Sequence, residues 1–213
     1  MIVPLPAPRR VPFAVVCVVT WLAAAVSAGP RGIWLGIWLA VGAASVMLGA
    51  AASLLDGASV ARQLRPTGRL LLVGGGAAVA MLAATYVLQP ALARAAPAVA
   101  RETALLYAAF RGPSPVVAAL ALAPVVLGEE LVWRGVVQAA YTRRFGAAAG
   151  VGLAAATFAL AHAPLGSFYL VAVAFGCGAA WGALRAMTGS LVPSLVAHLV
   201  WDAVVLLVVP FVP

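Results

Sequence analysis

Two adjacent glutamates, Glu129 and Glu130, and an arginine, Arg134, lie in the stretch LGEELVWRG, between the apolar runs PVVAALALAPVV and VVQAA. The chain holds only five acidic residues and two histidines. Asp56 and Glu102 read as loop residues. The other five groups, Glu129, Glu130, His162, His198 and Asp202, fall inside apolar runs, as does Arg134. An ionisable side chain at the centre of a bilayer costs at least about 2.5–3.5 kcal/mol on insertion scales, and such groups face a bundle interior and pair with one another. Six of them in three apolar segments therefore predict one shared polar cavity.

The spacings say how they pair. Glu130 and Arg134 are i,i+4, so a helix puts them on one face as an ion pair. Glu129 points about 100° away from Glu130 on an α-helix, which leaves it outside that pair. His198 and Asp202 are also i,i+4, and Phe158 shares a face with His162. Burial favours the neutral form of a carboxyl group, and a carboxylate near neutrality acts as a general base on water. An imidazole can hold the same water or donate to a developing oxyanion. These are the parts of peptide hydrolysis: Glu129 as base, His162 holding the water, His198 and Asp202 opposite. A metal is the other route to the nucleophile. Two histidines and a carboxylate can bind zinc with one open position, and here the ligands would be Glu129, His162 and His198 from separate helices, because no HExxH is present. Serine chemistry fits less well, since Ser194 lies one turn before His198 without a GxSxG turn.

These residues need a scaffold, and the composition names its kind. The chain has 213 residues, of which 65% are hydrophobic and 8% charged, against roughly 25% charged in a soluble domain. Mean hydropathy is +1.12. Several runs approach the ~20 apolar residues needed to cross a bilayer. The expectation is an integral, multi-pass, all-α transmembrane bundle in a bacterial inner membrane. All thirteen basic residues are arginines, which give a net charge of +8. Their scatter through loops reads as the positive-inside rule and offers no nucleic-acid groove. Cys17 and Cys177 read as packing residues, with no CxxC between them.

About seven helices (6–8) are predicted, over roughly 11–28, 33–55, 70–89, 115–140, 147–164, 167–185 and 190–209. Residues 11–28 follow Arg9 and Arg10 and end in Val26-Ser27-Ala28, which resembles a signal-peptidase site. The run is longer than the usual apolar core of a signal peptide and reads as a retained first span. Residues 90–112 read as an interfacial amphipathic helix, and the glycine run near 75 as a close-packing site. The arginines, eight on one side against four on the other, place the N-terminus inside and the C-terminus outside. On depth alone Glu129 and His162 do not align, which predicts tilted or broken helices. The chain divides into residues 1–114, N-terminal spans with the interfacial segment, and residues 115–213, the spans carrying the polar motifs, within one membrane domain.

The combination of Glu129-Glu130-Leu-Val-Trp-Arg134-Gly135, Phe158-Ala-Leu-Ala-His162 and His198-Leu-Val-Trp-Asp202 resembles the CPBP intramembrane proteases. That family includes type II CAAX prenyl endopeptidases and bacteriocin-processing or self-immunity proteins. The resemblance covers roughly residues 115–209. It implies an intramembrane endopeptidase in which Glu129 and His162 activate water, Glu130 and Arg134 form the supporting ion pair, and His198 and Asp202 stabilise the oxyanion. Prenyl-processing members typically end the last motif in Asn. Asp202 cannot donate unless protonated, so its expected role is to orient His198. The two-glutamate motif suits a metal-free mechanism with no cofactor. Trp133, Phe158 and Trp201 are candidates to line the cavity. The implied partners are the bilayer and a membrane-associated peptide or protein, with trimming of C-terminal membrane anchors as one form of the activity. Two other classes are compatible with a buried polar cluster, namely a non-catalytic immunity or scaffold protein and a small transporter. Internal repeats expected of many transporters are absent, and every motif residue is present.

Overall fold

The computed structural model describes residues 7–28, 40–110 and 115–211, and every regular element among them is helical. The elements are α1 (Ala7–Ala28), α2 (Gly42–Leu55), α3 (Gly57–Gln63), α4 (Gly68–Ala95), α5 (Pro97–Phe110) and α6 (Pro115–Glu129). A π-wound segment, Glu130–Val137, continues α6 into α7 (Gln138–Phe145). Then come α8 (Ala147–His162), α9 (Phe168–Thr188) and α10 (Val192–Ala203), the last ending in a π turn, Val204–Val208.

Five helices are long and apolar enough to cross a membrane: Val11–Ala28, Gly68–Ala95, Val116–Phe145, Ala147–Leu165 and Phe168–Thr188. The pair α2 and α3 passes the same test only together, because it bends by 108° between them. Val192–Val208 is apolar but shorter. Among the described residues there are thus five candidate spans, or six if the bent pair is one, against about seven predicted; the second prediction falls on the bent pair, with residues 33–39 outside the described residues, and the seventh on the shorter helix. The chain is an integral membrane protein built as a helical bundle. Its lipid-facing character is visible in the exposed side chains of α4, such as Leu72, Val79, Val87 and Leu88.

Of the two polar residues read as loop positions, Asp56 is one and Glu102 is not. Asp56 lies at the α2–α3 bend. Glu102 lies within α5, where its Oε2 accepts hydrogen bonds from Ser167 Oγ at 2.6 Å and Tyr169 N at 2.9 Å. A carboxylate there satisfies a free N–H of the first turn of α9 and lies at the positive end of its dipole. The same helix buries Val99, Thr103 and Tyr107 on one stripe and exposes Arg101 and Leu105. Its amphipathic pattern thus serves to pack it onto α4 and α9.

Close helix packing sets the site. α6 runs against α2, α10 against α4, and α8 against α9, while α1 lies on the π-wound segment and α8. Gly128 is the tightest point. A Cβ there would stand 2.2 Å from the Ser45 carbonyl oxygen, and one on Gly49 would stand 2.7 Å from Gly128 Cα. The two backbones touch because neither helix carries a side chain at the crossing, as small residues permit in membranes. In the glycine run Gly74–Gly76, only Gly74 meets a neighbour, with Val196 Cβ at 2.8 Å from its virtual Cβ on α10. Gly75 and Gly76 face open space.

Gly128→Ala is expected to force α2 off α6 and to lower stability by about 1–3 kcal/mol, the usual cost of overpacking. Gly152→Ala, where a Cβ meets nothing within 4 Å, should leave stability unchanged. Thermal unfolding of the two purified variants in detergent checks both expectations.

Candidate active site

Glu129 ends the α-helical part of α6, and Glu130 opens the π-wound segment. The winding shows in the backbone, where Gln138 N–H reaches the carbonyl of Trp133 five residues back. Such turns inside α-helices recur at functional sites. The extra residue per turn puts Glu130, Leu131, Val132, Trp133, Arg134 and Val137 all in buried positions. An apolar side faces the neighbouring helices, and the charged residues face inward.

Glu130 is completely buried. Its Oε1 takes Arg134 Nη1 at 3.2 Å and His198 Nδ1 at 2.9 Å. The other nitrogen of His198, Nε2, stands 3.4 Å from Asp202 Oδ2 and 3.9 Å from Glu129 Oε2. α6 and α10 are therefore joined through one imidazole with a carboxyl group at each end. Three carboxyl groups face one guanidinium and one imidazole, so the cluster approaches neutrality only with protons shared across it. The side chains of Glu130, Arg134 and His198 are at most 3% exposed, whereas those of Glu129 and Asp202 reach 11% and 18%. Glu129 and Asp202 are thus the least deeply buried carboxyls of the cluster, and the other three groups lie behind them.

Aromatic rings enclose this cluster. Trp181 of α9 stacks on His198 with centroids 3.6 Å apart and planes at 17°. The Arg134 guanidinium lies 4.7 Å from the Phe158 ring centroid and 5.0 Å from that of Trp181, a favourable cation–π placement. Trp133 packs edge-on to Phe158 at 5.3 Å, and Trp201 edge-on to Trp181 at 6.2 Å. Trp201 also donates from Nε1 to Thr85 Oγ1 on α4 at 2.9 Å. Glu130 Oε2, Arg134 Nη2, Trp133 Nε1 and Trp181 Nε1 are buried without a protein hydrogen-bond partner. Polar groups of this kind are what ordered water satisfies inside proteins.

His162 sits differently. Its Nδ1 is 2.8 Å from the Phe158 carbonyl, which only accepts, so Nδ1 carries the proton and Nε2 presents a lone pair. Its ring packs between Phe158, at 4.5 Å, and Trp21 of α1, at 4.7 Å. His162 therefore joins the others through rings, while Glu129, Glu130, Arg134, His198 and Asp202 are joined by polar contacts. Of the residues expected to line the cavity, Trp133 and Phe158 are buried within the ring cluster, and Trp201 packs at its edge.

Three residues escaped sequence reasoning: Trp21, Ser45 and Trp181. Ser45 Oγ lies 3.5 Å from Glu129 Oε1, and Trp21 Nε1 donates to Ser45 Oγ at 3.0 Å. One signal existed. A tryptophan deep in an apolar span, away from the interface it prefers, needs a partner for its N–H.

Among the described residues no three His, Cys, Asp or Glu side chains are grouped as metal ligands, and Glu129, His162 and His198 do not converge as such a set.

Acid, base and guanidinium groups are thus gathered and buried inside a bundle of apolar helices. Residues 111–204 match a protein family described as type II CAAX prenyl endopeptidase Rce1-like. That segment contains Glu129, Glu130, Arg134, His162, His198 and Asp202, the charged and histidine residues of the three motifs. No curated protein and no solved structure matches the chain.

Arg134→Met leaves Glu130 buried beside the imidazole alone, and a loss of about 3–5 kcal/mol is expected for such a broken pair. Adding Glu130→Gln, which keeps an acceptor for His198, should restore most of the loss. Thermal unfolding of wild type, the two single variants and the double variant in detergent reads the coupling between them.

Proposed function

We propose that the chain is an intramembrane endopeptidase that hydrolyses a peptide bond in a membrane-associated protein or peptide without a metal. The observation that carries this reading is the placing of Glu129, only slightly exposed, beside a fully buried Glu130–Arg134–His198 frame. The family match over the same helices supports it.

In this reading Glu129 takes a proton from a water molecule, and the water oxygen forms a bond to the scissile carbonyl carbon. The Nε2 lone pair of His162 accepts the water's other hydrogen and fixes its direction. The carbonyl π bond becomes an oxyanion, which His198 Nε2–H stabilises as a preorganised donor. Until the oxyanion takes that hydrogen over, Asp202 Oδ2, 3.4 Å away, accepts it and orients the ring, and Glu130 on Nδ1 holds the ring throughout. The oxyanion then re-forms the carbonyl and the C–N bond breaks. The proton held by Glu129 passes to the leaving nitrogen, and the carboxylate is restored. Glu130 and Arg134 neither gain nor lose protons; they hold His198 in register. The site is enclosed by apolar helices, so the substrate enters from the bilayer or its surface. The described family acts on prenylated substrates. With Asp202 closing the last motif, we propose a non-prenylated membrane anchor, in a bacterial inner membrane, as the substrate class.

The test is comparative proteomics of membrane-fraction termini from cells carrying wild type, Glu129→Gln or His162→Ala at matched levels. A new peptide terminus should be present with wild type, absent with Glu129→Gln, and reduced by about 10²-fold or more with His162→Ala, the range of general acid–base contributions. A terminus that persists with Glu129→Gln would refute the base role.

A further inference from the structure

Residues outside the three motifs connect the two groups that the proposed function assigns to water. Trp21 of α1 is fully buried, as is Ser45 of α2. The indole N–H of Trp21 donates to Ser45 Oγ at 3.0 Å, and Ser45 Oγ stands 3.5 Å from Glu129 Oε1. The same indole lies against the His162 ring, with centroids 4.7 Å apart, and edge-on to Trp133 at 5.7 Å. One side chain thus touches His162 with its ring and reaches Glu129 through one hydroxyl.

The geometry is fixed from behind. Gly128 and Ser45 meet backbone to backbone, which holds the Ser45 hydroxyl beside the next residue of α6, Glu129. Trp21 Nε1 is a donor only, so it fills an acceptor site on Ser45 Oγ permanently. The hydroxyl proton lies between Val41 O, at 2.9 Å, and Glu129 Oε1, at 3.5 Å. Ser45 can therefore serve Glu129 in both states of the reaction. It donates to the carboxylate before water is deprotonated. With its own proton on Val41 O, it accepts from the carboxylic acid afterwards. The 3.5 Å separation is longer than the 2.5–3.0 Å of a formed O–H···O bond, and a small rotation of Glu129 closes it.

We propose that Ser45 and Trp21 are positioning residues that hold Glu129 and His162 in mutual register, so that the N-terminal half of the chain completes the water-activating pair. The inference rests on the protease reading for its catalytic consequence, but the coupling can be tested without a substrate.

The chain has two histidines, so labelling with ¹⁵N-histidine gives four ring-nitrogen signals from these 213 residues in lipid. Ser45 does not itself pack on His162. If Trp21 relays between them, Ser45→Ala must move the His162 ring signals; unmoved signals overturn the coupling. Catalysis is read on a membrane-anchored peptide bearing the terminus found with wild type, cleaved in proteoliposomes across pH. Ser45→Ala and Trp21→Phe should each lower kcat about tenfold or more, as misplacement of a reacting group does. KM should hold, and the acid limb of the pH profile should be displaced. Ser45→Cys, which keeps a weak donor, should recover part of the rate. A fall in kcat with the pH profile unmoved, or no fall at all, overturns a positioning role. Should Ser45→Ala not accumulate, Trp21→Phe decides by the same readouts. Cleavage that survives Glu129→Gln instead refutes the protease reading and leaves the histidine signals to judge the coupling alone.

Discussion

Burying Glu130 is the constraint on which the rest of the molecule depends. A carboxylate with no exposure in an apolar bundle is tolerable only if opposite charge and hydrogen bonds reach it. Arg134 supplies the charge from the same helix, and His198 Nδ1 supplies the bond from α10. Each then needs its own accommodation. Arg134 spreads its charge over the faces of Phe158 and Trp181. His198 is clamped flat against Trp181 and finds Asp202 and Glu129 beyond its other nitrogen. One buried charge thereby fixes the relative placement of α6, α8, α9 and α10.

That arrangement separates support from chemistry. Within the adjacent glutamates, the inner one is held by partners on both sides, and the outer one is the more exposed, at 11% of its side chain. An ion pair at this depth contributes little net stability against an apolar replacement, so its value lies in orientation. His198 cannot rotate without losing Glu130, and this keeps Nε2 directed at the side where Glu129 and Asp202 stand.

Much of this was legible in the sequence because charges are rare in it. Glu129, Glu130, Arg134, His162, His198 and Asp202 stood out against apolar runs, and the runs marked the spans. The i,i+4 spacings of Glu130 with Arg134 and of His198 with Asp202 emerged as contacts. What sequence could not reveal depends on tertiary packing. The π winding at Glu130–Val137 has no periodic signature in so short a segment. The bend at Asp56 and the helix cap made by Glu102 are decided by neighbours far along the chain. Of three consecutive glycines, only contact with α10 selects Gly74. The depth mismatch between Glu129 and His162, read from span boundaries, is bridged in the structure by rings rather than by a direct bond.

The ring bridge also changes what counts as the site. The family match begins at residue 111, yet the groups nearest Glu129 Oε1 and one face of His162 come from α2 and α1. Without α1 and α2, that oxygen and that ring face would lie open toward lipid. Buried Cys17, Trp21 and Ala25 on α1 form a stripe at helical spacing, and that stripe packs against the π-wound segment and α8. An apolar helix that looks generic in sequence therefore closes the polar cluster on a third side, and its tryptophan brings one N–H to it.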